Sequence, residues 1–245
     1  MRKKRKHGDN GVVVATTIIT VLFVISAGYL IGGDNVVTTL LQKETEEKAF
    51  YFISTNGFDD VTMARQNADI IRNRGGAGYV DLTDSNKIIL AVYPDEQSAN
   101  TVRDKVGDNS LVVSSLAVKS INTSVAGRGL KDDVASALTY FDTTFDTLYN
   151  LSNALADNKI TIDDVKTQIT VLRSQIEDIK SVFYENTKDS AHASITEIKV
   201  ALVTCIALVD GVEIGELAPT LSSLRRQTVQ LVYCYEALAS TLASY

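Results

Sequence analysis

Phe50-Tyr51-Phe52-Ile53-Ser54, then Asp59-Asp60, then Val61, Ala64, Ala68 and Ile71 is the stretch that decides the fold of the central part of this chain. The first five residues are aromatic or β-branched up to Ser54, as strands prefer. The acidic pair stands where a helix begins, next to the positive end of its dipole. The four apolar residues then recur at helical spacing, and Gly75-Gly76 closes the helix.

The same reading extends outward. Gly78 to Thr83 and Lys87 to Tyr93 read as two strands around Asp84-Ser85-Asn86, which has the composition of a hairpin turn. Pro94 and Asp95 open a second helix with Ala99, Val102 and Val106 on one face. After Gly107, Leu111-Val112-Val113 begins a last strand reaching about Val118. A shift of 35 residues lays Phe58 on Tyr93, Asp60 on Asp95 and Ala64 on Ala99, so the segment is a repeat. Two such halves predict βαββαβ: an α+β, ferredoxin-like module with a four-stranded antiparallel sheet and both helices on one face. The other face is then expected to stand open as a binding platform.

The stretch from Phe52 to Asp60, with Ala64 following, resembles the first half of a SPOR (sporulation-related repeat) domain, and Lys87 to Tyr93, with Ala99, is similar to its second half. The resemblance covers about residues 49–121. It implies a small bacterial envelope module that binds peptidoglycan glycan strands stripped of stem peptides, in cell division or sporulation. Ser54 stands where the family often has glutamine, Lys87 and Ile89 stand nearest a frequent arginine, and Ala91 replaces a glycine. On the family's strand alternation, Phe52, Ser54, Lys87 and Ile89 face the open side and Asn56 lies at the strand end. These five residues form the expected glycan site, with Ile88 and Leu90 turned towards the helices.

Residues 1–11 hold five consecutive basic residues, Arg2 to Lys6, and Val12 to Ile31 contains neither charge nor proline. Twenty helical residues span about 30 Å, the hydrocarbon thickness of a bilayer. The run exceeds the roughly 7–15 residues of a signal-peptide core, although Ser26-Ala27-Gly28 offers small residues for cleavage. An uncleaved single-pass anchor over 12–33 is therefore expected in the cell membrane. Its basic flank would stay in the cytoplasm and touch anionic lipid, with the C-terminal domains outside. Residues 34–48 read as a polar stalk.

Residues 122–129 read as a flexible linker, and 130–245 as an all-α antiparallel helical bundle. Leu130, Val134, Leu138, Phe141, Phe145, Leu148, Leu151 and Leu155 mark one helix. Thr161 to Asp164 resembles a capping box. It precedes a seam of Ile162, Val165, Ile169, Leu172, Ile176, Ile179 and Phe183 that alternates three and four. A third helix over about 189–209, too short to cross a bilayer, is expected at the bundle centre, and a fourth reaches about Leu242.

Net charge is −6; residues 1–10 carry +4, leaving the rest near −10. That sign argues against nucleic acid as a partner. Cys205 and Cys234 are the two cysteines, and either free thiols or one inter-helix disulfide fits them. The Asp pairs at 59/60, 132/133 and 163/164 each precede an apolar helix, which makes them caps rather than acid–base pairs. Nothing in the sequence points to an enzyme, a cofactor or a metal. Two functions follow as expectations. One is a membrane-anchored, glycan-binding envelope protein. The other is a structural or interaction protein whose bundle recruits an envelope partner or self-associates, without glycan binding.

Overall fold

A computed structural model describes residues 45–245, which belong to one compact unit. The basic tail, the 12–33 span and most of the stalk lie outside the described residues. Among those described, no helix is long and apolar enough to cross a membrane.

The chain runs β1 (Lys48–Ser54), α1 (Val61–Asn73), β2 (Tyr79–Asp81), β3 (Lys87–Tyr93), α2 (Glu96–Val106) and β4 (Val112–Val118). After a short 3-10 turn, Arg128–Leu130, come α3 (Lys131–Ala156), α4 (Ile162–Asn186), α5 (Ala193–Asp210) and α6 (Leu217–Leu242). Over the described residues the fold is α+β, with one four-stranded antiparallel sheet in the order β2-β3-β1-β4 and six α-helices. The stalk ends inside the fold. Lys48 pairs with Val118 in the sheet, and the Thr45 amide donates to the Ile121 carbonyl at 2.9 Å.

Each local signal has a physical counterpart. The Asp60 carboxylate accepts from the Thr62 amide at 2.8 Å and Asp95 accepts from Ser98 at 2.7 Å, so both repeat halves start their helices on an aspartate cap. The matched alanines, Ala64 and Ala99, are both fully buried beneath those helices. At the end of α1, Gly75 takes φ +85, and the amides of Gly75 and Gly76 donate back to Arg72 and Ile71. That pair of bonds is a Schellman cap. Ser85 and Asn86, at φ 53 and 52, make a tight hairpin turn closed by the Lys87 amide on the Asp84 carbonyl. Gly57 lies against this turn so closely that a Cβ there would sit 2.6 Å from Ser85.

In the bundle, Thr161 and Asp164 form a reciprocal capping box. Val165, Ile169, Leu172, Ile176 and Phe183 are buried along the expected seam. Connections of a few residues between helices of 18–26 residues force neighbours to run antiparallel. In space α3 packs on α4 and α6, and α5 packs on α4 and α6, closing a four-helix arrangement. Both cysteines are free. The third helix departs from its expected central place. Ile198, Leu202 and Val209 of α5 are buried, but Val200 and Val203 are exposed on its outer side.

The sheet is covered on both faces. Tyr51, Ile53, Ile88 and Tyr93 lie with α1 and α2 in two small clusters. Phe50, Phe52, Ile89, Val92 and Val118 belong instead to the large core that continues through α3, α4, α5 and α6. The expected open face is therefore not open: the helical half lies on it, with α6 against β3 and α1. The segment expected as a linker does not interrupt this core either, since Ile121 and Ala126 are buried within it. The reason is apolar area. Burying large side chains stabilises each by about 1.5–3 kcal/mol, and the sheet and the bundle meet that demand with each other's surfaces.

A bulge sets which β3 residues face the bundle. Ile53 pairs with Ala91 but Ser54 pairs with Ile89, leaving Leu90 as an extra residue on β3. Ile88 thus faces α1, while beyond the bulge Val92 faces the bundle and Tyr93 faces α2. Leu90 keeps the side expected for it, packed with α2 as Ile88 is with α1, and the alternation breaks after it, where Ala91 stays on that same side.

Candidate functional site: the bundle-covered face of the sheet

The five residues expected to bind glycan fall into two groups. Phe52, Ser54 and Ile89 lie together on the bundle side of the sheet and are 3%, 0% and 0% exposed. Asn56 is exposed in the loop after β1, and Lys87, at the start of β3, is ion-paired to Asp84 at 2.6 Å. The structure therefore brings three of them into one interior and leaves two at its margin. Phe52, Ser54 and Ile89 thus do not form the open surface expected of them, because α6 lies on that face.

The occupant is specific. Tyr233 of α6 stacks on Phe52 with ring centroids 5.5 Å apart and planes 11° from parallel. Its other neighbour is Tyr79 of β2, 5.6 Å away at 25°. Its hydroxyl donates to Asp81 Oδ2 at 2.7 Å. Offset aromatic pairs stabilise by about 0.5–1.5 kcal/mol beyond area burial, and an O–H bond to a carboxylate by about 1.5–3. Sequence analysis missed Tyr79, Asp81 and Tyr233. The signal available was the two-residue spacing that puts Tyr79 and Asp81 on one face of a strand; on α6 nothing in the sequence set Tyr233 apart from Tyr235. Tyr235 instead stacks on Phe141 of α3, 5.0 Å away.

Asp81 is fully used by this arrangement. Its Oδ1 accepts from the Thr83 amide at 3.0 Å and the Thr83 hydroxyl at 2.6 Å. Burial works to raise its carboxyl, but the bonds from Thr83 and Tyr233 and the charge of Lys87 outweigh that and hold it below the usual carboxylate range. Burial, with the bond to Asp81, pushes the Tyr233 phenol well above its usual value, so it stays a donor. A carboxylate with both oxygens engaged is a structural acceptor and not a proton shuttle. Two polar atoms among the described residues are buried with no hydrogen-bond partner, Ser54 Oγ on this face and Gln227 Oε1 on α6.

A second feature lies where β1 meets α3. Lys48 is ion-paired to Asp142 at 2.6 Å, at the edge of a cleft of about 210 Å³. Asp146, Phe50 and Phe145 complete its walls. Burial raises the carboxyls of both Asp142 and Asp146, and Lys48 opposes the rise. No cluster of three or more potential metal ligands occurs among the described residues. Of the aspartate pairs expected as caps, Asp60 caps α1 and Asp164 completes the capping box of α4, whereas α3 starts at Leu130 without a side-chain cap and Asp133 instead accepts from Asn186 of α4 at 2.6 Å.

Compared with family models, curated proteins and solved structures, the chain matches none of them.

Proposed function

We propose that the chain is a non-enzymatic, membrane-anchored interaction protein of a bacterial envelope, in which a ferredoxin-like, SPOR-like sheet serves as the floor of a helical bundle. The observation that carries this reading is Tyr233 stacked between Phe52 and Tyr79 and bonded to Asp81. It fills the face that would otherwise hold glycan. The anchor and its orientation rest on the basic tail and the apolar run at 12–31. Peptidoglycan glycan strands and nucleic acid are accordingly not its partners on this reading.

The bundle offers a surface for self-association. On α5, Thr196, Val200, Val203 and Ala207 are exposed in a 4-3-4 spacing. That spacing is the one by which helices of two copies interlock side chains. A second copy of the chain is therefore the partner we assign to it.

The test is paired. The full-length protein in mild detergent should fail to sediment with amidase-treated sacculi, and its sedimentation velocity should show a dimer that Val203→Glu converts to monomer. Co-sedimentation with sacculi, lost on Phe52→Ala at unchanged stability, would reverse the reading in favour of glycan binding.

A further inference from the structure

The sheet has two edges, and they are built differently. At one end β2 is three residues long and carries Asp81. At the other, β4 runs for seven residues, Val112–Val118, with no charge and no proline. It pairs with β1 through seven consecutive positions without a bulge. Among the described residues β1 is its one strand partner, and no backbone bond reaches it from outside the sheet. Val112 is 41% exposed, and Ser115 and Ala117 are exposed as well.

An edge strand presents a row of N–H and C=O groups to any strand that comes alongside, so proteins shorten, charge or bend the edges they keep single. β2 is shortened. β4 has none of these protections. Its two faces are covered, by α2 on one side and α6 on the other, and the edge is what remains. The residues around the strand select its partner. Asp108 precedes it and Lys119 follows it, both exposed. A parallel neighbour of the same sequence sets like charges side by side. An antiparallel one turns Lys119 of each copy towards Asp108 of the other, with only uncharged residues between. Centred on Ser115, that pairing matches Val113 with Ala117 and sets Ser115 opposite itself. A two-fold axis through Ser115, perpendicular to the sheet, also keeps both α2 helices on one side and both bundles on the other.

We propose that the β4 edge pairs with the β4 edge of a second copy, antiparallel and centred on Ser115, joining two four-stranded sheets into one of eight strands. This contact is separate from the exposed stripe of α5, which belongs to the bundle. Backbone bonds dominate it and few large side chains are buried by it. It therefore forms between copies held in one membrane, where anchoring raises their effective concentration, and not in dilute detergent. In that respect it rests on the membrane-anchored reading above. Used together, the two surfaces link dimers into rows.

The experiment uses the full-length chain in bacterial membranes, oxidised briefly with copper–phenanthroline. Linked peptides are read by mass spectrometry, so that Cys205 and Cys234 are told apart from introduced cysteines. Ser115→Cys should form a 115–115 disulfide between copies, because directly opposite side chains of an antiparallel pair lie about 4.5–5.5 Å apart. Val113→Cys alone should not link, since its equivalent in the second copy lies about 14 Å further along the strand. Co-expressed with an Ala117→Cys chain, it should form a 113–117 link. The pattern should persist when Val203→Glu is added, which separates this contact from the one on α5. Absence of the 115–115 link in membrane-bound protein, or equal linking at 113 and 115, would overturn the pairing. Recovery of the chain outside the membrane fraction refutes the anchor instead, and the same variants, purified and concentrated, then decide the pairing by the same pattern.

Discussion

The Tyr233 ring lies on the Phe52 ring, 5.5 Å away and nearly parallel, and so joins the last helix of the chain to the first described strand. Residues 181 positions apart in sequence thus share one aromatic stack at the centre of the sheet–bundle seam.

Removing this contact should be felt as lost stability. Phe52→Ala deletes a side chain that is 3% exposed and leaves a cavity, a change that costs roughly 3–5 kcal/mol. Thermal or denaturant unfolding of the full-length protein checks this. An exposed glycan-binding residue would show almost no change instead.

The βαββαβ order was legible because its signals are local: aromatic and β-branched runs, aspartate caps, a Schellman glycine pair and a 35-residue repeat. The cover on the sheet was harder to read, since it depends on contacts between residues far apart. One cue existed. Ile88-Ile89-Leu90-Ala91-Val92 has no polar residue on either face, and a strand that is apolar on both faces is a strand buried on both faces. Phe50, Tyr51, Phe52 and Ile53 repeat the cue. The bulge at Leu90 had no sequence signal. Neither did the choice of Tyr233 over Tyr235 to meet the sheet, because helical spacing places both on flanks of α6.

Residues 49–121 alone should not form a stable two-state domain. Cutting at the expected linker exposes Phe50, Phe52, Ile89 and Val92, which belong to the shared core. The isolated segment should aggregate or give a poorly dispersed amide spectrum, and adding the 130–245 fragment should restore dispersion. A sharp cooperative melt of the segment by itself would argue for separable domains.

Acid should weaken the seam through Asp81. Its carboxyl titrates below the ordinary value near 3.8 in the fold, so its stabilisation is present above that pH and is lost as pH falls through the lower folded value. Tyr233→Phe removes one of the bonds that depress it. The variant should be less stable than the native protein at pH 6, with the gap narrowing below about pH 4. Urea midpoints at both pH values measure the change.

Ile176 is fully buried in the α4 seam, within its own bundle. Ile176→Ala should lower stability by about 2–5 kcal/mol without changing the oligomeric state. Val203→Glu, on the exposed side of α5, should do the reverse: little loss of stability, and loss of the dimer. Sedimentation velocity combined with thermal melts separates the two effects.

The central claim is that the sheet face is a permanent interior, and Ser54 reports on it most directly because it is wholly buried there. In the full-length Ser54→Cys protein, thiol labelling at that position, read by mass spectrometry so that Cys205 and Cys234 are distinguished, should proceed only as fast as global unfolding permits. Its rate should rise with urea as steeply as unfolding does. Rapid labelling under native conditions, slowed by added denuded glycan strands, would contradict the account and show a face that opens to bind them.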